Sequence, residues 1–442
     1  MDGWLAGIAQ VDYSPPLGLP LMGNFRDDYA ARGRHDPLCG RAVVLQDPNG
    51  RRVALLSVDI CMLDRGNVAL MRRHVAACTD LAPEDILIAA THTHSAPAPM
   101  MLGCLPKAPD AEIEAFLTRA AEAVILARND LRPASLRVGY SAESRLSFNR
   151  RLRCRDGRTR MNWERVDPGE VIEPLGPTDP VVVTLSIHRG DCPAAGLINF
   201  ALHPAILAGD NWLYSADFPG YLGEALSGMI SHEFVTFFFN GPCGNVNHID
   251  YTDPQQGRGY QMTQRVGYML AVAAYRAMRI SRPVIGGELA VSREKVPLKR
   301  LSISDEQYQW AQEVIARLGT ERSPGQVDGA PDEYYARCWL QMREQQSAGD
   351  AAEVMVMRIG DVGIVGLPGE VFCELGLELK KRSPARHTLV IELANDAIGY
   401  LPTREAFAQG GYEVSPGVTR YEPGAGQLLI DSAVRQLNRL FA

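Results

Sequence analysis

The chain has 442 residues, of which 46% are hydrophobic and 22% are charged, and its formal net charge at pH 7 is -7. This composition is that of an ordinary globular protein with enough residues for a large core. The acidic balance argues against a nucleic-acid partner and against an anionic membrane surface, because both need clustered Lys and Arg.

The cysteines and the N-terminal residues bear on the cellular compartment in which the protein is expected. The nine cysteines are irregularly spaced and odd in number, without a CxxC pair, which favours a reducing environment. The first residues lack the basic and apolar regions of a secretory signal, and no apolar run reaches the ~18 residues of a membrane span. The sequence therefore predicts a cytoplasmic protein without stable membrane association.

In chain order, the first 40 residues are rich in Gly and Pro, and Pro15–Gly23 is predicted to be an extended loop. Asp47–Gly50 separates two apolar runs, which predicts a hairpin. A helical excursion is predicted at about 300–350, with a loop over Glu321–Pro331.

Strands and helices alternate along most of the chain. Short apolar runs predict strands over Ile86–Ala90, Pro180–Ile187, Gly196–Pro204, Glu233–Phe239, Val354–Gly360, Val362–Leu367 and Thr388–Leu393. Apolar residues at helical spacing predict helices over Asn67–Cys78, Ala111–Asn129, Gly220–Ile230, Gln261–Arg279, Ser304–Ala316, Glu374–Lys381 and Gly426–Leu440. We expect an α/β fold with a mixed, largely parallel sheet flanked by helices, in a single domain over residues 1–442.

One buried strand, Ile86–Ala90, leads directly into two histidines, His92 and His94. In an extended chain their side chains point to the same face. Both could then touch one cation, or one could hold it while the other serves the chemistry. The alternative is a pair of hydrogen-bonded core histidines.

Polar side chains end three further apolar runs, at His203, Asn247 and Glu370. Groups at strand ends converge on one crevice of a mixed sheet, so we expect these residues to meet His92 and His94. The set of His92, His203 and Glu370 is typical of catalytic zinc, which takes three protein ligands and leaves a position for water. A core role for His203 and a helix-capping role for Glu370 remain alternatives.

Five motifs follow one another along the chain: Thr91–Pro97, Asn199–Pro204, Ser215–Gly220, Leu367–Glu370 and Gly399–Tyr400. Together with the Gly18–Gly23 loop and Arg34–Leu38, they make the sequence resemble the catalytic domain of the neutral/alkaline non-lysosomal ceramidases. The resemblance covers essentially the whole chain.

The resemblance implies Zn2+ as cofactor, bound by His92, His203, Glu370 and Tyr400. It implies that His94 acts as general base or acid on the water that the zinc activates. Before the resemblance is considered, Tyr400 would be a core or surface aromatic residue.

The resemblance also implies that Arg150 contacts the scissile amide or its developing charge, with Arg151 as the alternative in a register shifted by one. Tyr412 matches a tyrosine that donates to the oxyanion. Where ceramidases have a functional serine, this chain has Asn247, which can hydrogen-bond a substrate carbonyl or amide but cannot be a nucleophile. The chain stops after the catalytic domain, without the C-terminal immunoglobulin-like domain, so the link to ceramide itself is weaker.

The sequence thus predicts a zinc-dependent amidohydrolase that cleaves the C–N bond of a small N-acylated substrate with water. His94 must be neutral to act as base, so activity is expected to fall below about pH 6.5. The apolar segment Pro99–Pro106 fits an acyl pocket and core packing equally well. An esterase or deacetylase with the same zinc site, and a non-catalytic metal- or ligand-binding homologue, are the alternative functions.

Overall fold

A computed structural model describes residues 3–164, 166–318 and 329–442. The predicted loop Glu321–Pro331 lies outside these ranges except for its last three residues, 329–331. No helix within them is both long enough and apolar enough to cross a membrane.

The strands of the described residues range from two to eleven residues in length. They are β1 (Trp4–Asp12), β2 (Gly33–Arg34), β3 (Cys39–Gln46), β4 (Arg52–Val58), β5 (Ile86–Ala90), β6 (Arg132–Ala142), β7 (Phe148–Asn149), β8 (Arg151–Cys154), β9 (Thr159–Met161), β10 (Val171–Pro174), β11 (Val181–Arg189), β12 (Cys192–Phe200), β13 (Leu213–Tyr214), β14 (Val235–Asn240), β15 (Val246–Asn247), β16 (Arg282–Pro283), β17 (Leu289–Leu298), β18 (Asp350–Ile359), β19 (Val362–Gly366), β20 (Glu370–Val371), β21 (His387–Ile391) and β22 (Tyr400–Leu401).

The helices lie between these strands and at the end of the chain. They are α1 (Arg65–Cys78), α2 (Asp110–Asn129), α3 (Phe218–Met229), α4 (Tyr260–Arg279), α5 (Asp305–Arg317), α6 (Asp332–Glu344), α7 (Cys373–Arg382), α8 (Arg404–Gln409) and α9 (Ala425–Phe441). Every helix predicted from apolar spacing is present, with ends within two residues of the prediction.

The larger sheet has the strand order β14-β12-β11-β6-β1-β3-β4-β5, with β16 beside β6. Pairs joined by tight turns, such as β3–β4 and β11–β12, are antiparallel, whereas β4–β5 and β12–β14, which have a helix between them, are parallel. The predicted α/β class with a mixed sheet flanked by helices is confirmed. Its largely parallel character is corrected, because most neighbouring pairs of this sheet are antiparallel.

A second sheet, in the order β17-β18-β19-β21, packs face to face with the first. Successive residues of a strand point to opposite faces. Val43 therefore joins Met357 and Leu389 in the core between the sheets, while Val44 joins Leu117 in the core beneath α1 and α2. With α7 and α9 against the second sheet, the layers are helices, sheet, sheet and helices.

The central strand β1 was not predicted, because the first 40 residues were interpreted mainly as loop. It lies between β6 and β3. Its small residues, such as Gly7, weaken the apolar pattern that would predict a strand. They are needed because α2 crosses close to the backbone of β1. A Cβ at Gly7 would lie 1.7 Å from the Ala127 carbonyl oxygen.

The predicted excursion near 300–350 contains α5 and α6, which pack on each other. Ala311, Val314 and Ala336 form their shared core, and the rings of Trp310 and Trp339 lie 4.8 Å apart. On the other side of α6, the Tyr334 ring meets the Phe25 ring with centroids 5.2 Å apart. The excursion thereby supports the N-terminal loop that carries Phe25.

Candidate metal centre

Three buried side chains from separate strand ends meet at one point. His92 follows β5, His203 follows β12, and Glu370 is the first residue of β20. His92 Nε2 lies 2.8 Å from His203 Nε2, and Glu370 Oε2 lies 3.4 Å from the former and 3.6 Å from the latter. The structure therefore brings together the three residues that strand-end reasoning selected.

His92 reaches this point through an unusual backbone conformation. Its φ of 76° lies in a region that residues other than glycine rarely adopt, at a cost of about 1–3 kcal/mol. The His92 N–H donates to the Ile60 carbonyl at 2.9 Å, and His94 Nε2 lies 3.4 Å from His92 Nε2. The two histidines do face one point, but a turn after β5 is the reason, and not the alternation of an extended strand.

The Nδ1 atoms of the two ligand candidates are hydrogen-bonded to backbone carbonyls, which directs both Nε2 atoms to the shared point. His92 Nδ1 donates to the Cys61 carbonyl at 2.7 Å, and His203 Nδ1 to the Cys243 carbonyl at 3.3 Å. Glu370 Oε2 is buried and has no hydrogen-bond partner. Two imidazole Nε2 atoms and a carboxylate oxygen without a hydrogen-bond partner, all directed at one point, fit a divalent cation.

Tyr400 lies beside this group because β20 and β22 pair in parallel, with Glu370 opposite Tyr400. Its hydroxyl interacts with the Glu370 carboxylate and with the Arg150 guanidinium. Burial raises the pKa of Tyr400 well above its ordinary value, and the positive charge of Arg150 opposes that shift. Tyr400 is thus part of the cluster, and its role as a metal ligand stays a prediction.

Arg150 and Arg151 point in different directions. Arg150 lines the cavity described below, and it donates from Nε to Glu413 at 2.7 Å and from Nη2 to the Gly244 carbonyl at 2.8 Å. Arg151 is fully buried and donates to Glu413 at 2.9 Å and to the Gly410 carbonyl at 2.7 Å. Of the two alternatives, Arg150 is the one that faces the site.

Tyr412 and Asn247 both line the same cavity. The Tyr412 ring centroid lies 5.9 Å from that of Tyr400. Asn247 exchanges two hydrogen bonds with Asn162, at 2.8 and 2.9 Å, and its Oδ1 also accepts from the Ile249 N–H at 3.0 Å. The predicted substrate contact of Asn247 is therefore restricted to its second amide N–H, and the residue chiefly fixes the cavity wall.

The ring of His94 is covered by the N-terminal loop. Gly23 has a φ of 100°, and a Cβ there would lie 2.4 Å from His94 Cγ, so only glycine permits this close approach. Arg26 Nη2 donates to the His94 carbonyl at 3.0 Å. Burial lowers the pKa of His94 well below its ordinary value, and the charges of Arg26 and Arg150 act in the same direction. The neutral imidazole, which is the form a base needs, therefore dominates at neutral pH.

The cluster opens into a cavity of about 1300 Å³. His94, Arg150, His203, Tyr400 and Tyr412 form part of its wall. The other lining residues include apolar and aromatic side chains and several carboxylates: Phe25, Trp163, Val166, Ile206 and Ile249, and Asp167, Asp210, Asp250 and Asp253. The cavity can therefore receive a substrate with both apolar and polar parts.

The apolar segment Pro99–Pro106 contributes nothing to this wall as far as the described residues define it. Leu105 instead joins a hydrophobic cluster with Tyr334 and Cys338, and Met101 is exposed. Of the two interpretations of this segment, packing agrees with the structure.

Comparison with known proteins identifies the family. Residues 4–247, more than half of the chain, match the family model described as neutral/alkaline non-lysosomal ceramidase, N-terminal. The chain belongs to this family. The membership inferred from the motifs is thereby confirmed, and it places the chain among the amide hydrolases.

Relatives of this ceramidase-family chain occur in bacteria, plants and insects. The neutral ceramidase of Pseudomonas aeruginosa is 24% identical, over 95% of this chain and 70% of its own length. A neutral ceramidase of Oryza sativa subsp. japonica is 26% identical over 30% of this chain and 18% of its own length. One from Drosophila melanogaster is 31% identical over 22% of this chain and 14% of its own length.

Solved structures of this family share the fold. The crystal structure of the neutral ceramidase from Pseudomonas aeruginosa has a TM-score of 0.77 and 19% identity, covering 99% of this chain and 75% of that one. A structure titled as ceramidase complexed with C2 matches with the same TM-score and covers 76% of that chain. At this level of identity the match establishes the α/β architecture.

Three residues around the metal centre of this ceramidase-family chain were not predicted. Glu392 follows β21 and contacts Cys243, and burial raises the pKa of Glu392 to about 7. The strand-end pattern that selected Glu370 would also have selected Glu392. Cys243 and Arg26 carry no sequence signal, because only the tertiary fold brings them to the histidines.

Proposed function

We propose that this chain is a zinc-dependent hydrolase that cleaves the C–N amide bond of an N-acylated small molecule. The observation that carries the proposal is the convergence of His92, His203 and an unpartnered oxygen of Glu370 beside a neutral His94. Family membership supports an amide as the bond that is cleaved. The names of the relatives make a ceramide-type compound the first substrate to test.

The donor set supports zinc as the metal, since two imidazoles and a carboxylate are common ligands of catalytic zinc. His92, His203 and Glu370 would hold the ion, with Tyr400 as the proposed fourth ligand. When bound, zinc polarises the substrate carbonyl and lowers the pKa of water to about 7.

His94 is placed to move a proton. Its Nε2 lies 3.4 Å from His92 Nε2, next to the point where the ligand atoms converge. In the neutral form it accepts a proton from the attacking water and then donates that proton to the leaving nitrogen. One residue thereby serves as base and then as acid.

Arg150 and Tyr412 supply donors for the oxygen that gains negative charge during attack. Both lie in the cavity wall next to Tyr400. Arg150 is held by Glu413 and by the Gly244 carbonyl, so its position is set before substrate binds. Donors that are positioned in advance stabilise the transition state without having to reorganise.

The lowered pKa of His94 predicts a pH profile. Because burial favours the neutral ring, protonation should begin only well below pH 6.5, the ordinary value for histidine. We therefore expect kcat/KM to be retained through pH 6.5 and to fall only at lower pH. The measurement is kcat/KM from about pH 5 to about pH 8, and a half-maximal point at the ordinary value would contradict this assignment.

Metal analysis combined with a substrate panel tests the proposed function. We expect about one zinc per chain and release of free amine from at least one compound among ceramide, N-acyl amines, N-acyl amino sugars and N-acyl amino acids. Matched esters serve as controls. Bound zinc without hydrolysis of amides or esters refutes the enzyme proposal, and hydrolysis of esters alone identifies an esterase with the same site.

We further propose that the protein acts in the cytoplasm. All nine cysteines are free thiols, and six of them are buried, including Cys61 and Cys243 beside the candidate ligands. Cell fractionation should recover the chain with cytoplasmic markers. Its recovery in an extracytoplasmic fraction would contradict the proposal.

A further inference from the structure

Glu392 connects the turn after β14, which contacts His203, with strand β20, which carries Glu370. It follows β21 and is fully buried. Its Oε2 accepts from the Cys243 N–H at 3.0 Å and from the Val371 N–H at 2.9 Å, and its Oε1 accepts from the Cys243 thiol at 2.8 Å. One carboxylate therefore joins the turn after β14 to strand β20.

Each residue that Glu392 contacts is either hydrogen-bonded to a candidate ligand or next to one in the chain. The Cys243 carbonyl accepts from His203 Nδ1, which leaves the lone pair of His203 on Nε2. Val371 is the neighbour of Glu370, whose unpartnered Oε2 faces the same point. Movement of Glu392 would therefore displace both ligand atoms.

Hydrogen bonds hold the backbone around Glu392 in a conformation that includes a positive φ at the next residue. Its N–H donates to the Asn240 carbonyl at 3.0 Å, and the next residue, Leu393, has a φ of 48°. The Leu393 N–H in turn donates to the Gly369 carbonyl at 3.2 Å. These bonds fix the carboxylate relative to the loop that precedes Glu370.

The three donors to the Glu392 carboxylate are neutral groups. Neutral donors solvate a buried carboxylate but leave its negative charge in place. A divalent cation bound between His92, His203 and Glu370 would provide the balancing charge. The charge of Glu392 is thus suited to a metal-loaded centre.

We propose that Glu392 is a positioning residue for the metal centre. Its carboxylate holds the Cys243 and Val371 segments in fixed positions, so that His203 and Glu370 can bind the same cation. The inference rests on the proposed zinc site. It predicts that Glu392 acts on metal affinity and ligand geometry without touching the substrate.

The test is Glu392→Gln, which keeps the shape of the side chain and one oxygen acceptor but removes the charge. The matched control is Asp47→Asn. Asp47 is likewise a buried carboxylate that accepts three hydrogen bonds, in its case from the backbone N–H groups of Asn49, Arg51 and Leu289, at the far turn between β3 and β4. Zinc Kd by chelator competition, the absorption spectrum of the Co2+-loaded protein and the melting temperature of the metal-free protein are measured for each.

We expect E392Q to bind zinc about 10–100-fold more weakly than wild type and to show an altered Co2+ spectrum, while D47N keeps the wild-type Kd and spectrum. Glu392→Asp, which keeps the charge but shortens the side chain, should weaken zinc binding less than E392Q does. If E392Q does not fold, wild-type Kd and spectrum in E392D overturn the inference. Wild-type Kd and spectrum in E392Q, or equal loss in D47N, overturn the inference. A wild-type chain that binds no zinc would instead refute the proposed function.

Discussion

Replacement of His94 by alanine is expected to lower kcat by about 10²–10⁴-fold while zinc content stays that of the wild type. The ring lies beside the convergence point but is not needed to complete the set of His92, His203 and Glu370. Loss of the proton acceptor should therefore affect turnover and leave metal binding intact. The measurements are kcat on a substrate identified in the panel and zinc content by elemental analysis.

His248→Ala is the control for this variant. His248 is also buried, lines the same cavity and has an unpartnered Nδ1, but it is not part of the candidate ligand groups found among the described residues. Its loss should change kcat far less than H94A does. Wild-type turnover in H94A would remove His94 from catalysis, whereas loss of zinc would place His94 among the ligands together with Cys61 and His92.

Replacement of His203 by alanine should abolish both zinc binding and turnover. His203 Nε2 is one of the three atoms that converge, and its loss leaves a single imidazole, that of His92, beside Glu370 and the proposed ligand Tyr400. We expect this reduced set to lose zinc to a chelator, since catalytic zinc is held by three strong protein ligands. Zinc content after dialysis against a chelator and the rate of amine release are the two readouts. The far-UV circular dichroism spectrum should stay that of the folded wild type.

The same control variant, H248A, should retain its zinc through dialysis. If H203A keeps full zinc content and full activity, the assignment of the metal site is wrong. If it loses turnover but keeps zinc, His203 belongs to substrate binding or proton transfer instead.

Much of the secondary structure followed from local patterns. Seven helices were predicted within two residues at each end, because most of them pack an apolar stripe against the sheets, whereas α6 and α8 were not predicted. The pairing of strands was not predictable in the same way, and the mixed sheet that was expected to be largely parallel is mostly antiparallel. Strand direction depends on whether turns or helices connect neighbours, and a run of apolar residues such as Val181–Ile187 is compatible with either.

The candidate site shows the same division. His92, His94, His203 and Glu370 could be selected because each ends an apolar run, and strand ends are where a sheet exposes side chains to a crevice. Their roles came from the resemblance, and the structure adds the contacts of each. Glu392 fits the strand-end pattern as well but was overlooked.

By itself, the sequence determined the family, seven of the nine helices of the described residues, several of the longer strands and the small set of residues that can hold a metal, since these depend on residue type and local periodicity. Only the tertiary structure decided that Arg150, and not Arg151, faces the cavity, and that Tyr400 lies opposite Glu370. It also decided that a turn after β5 directs the His92 side chain to the candidate metal centre. The physical reason is that strand register, backbone turns and burial are set by contacts between segments far apart in the chain. A local pattern of apolar residues does not specify which of several distant segments becomes the neighbour of a strand.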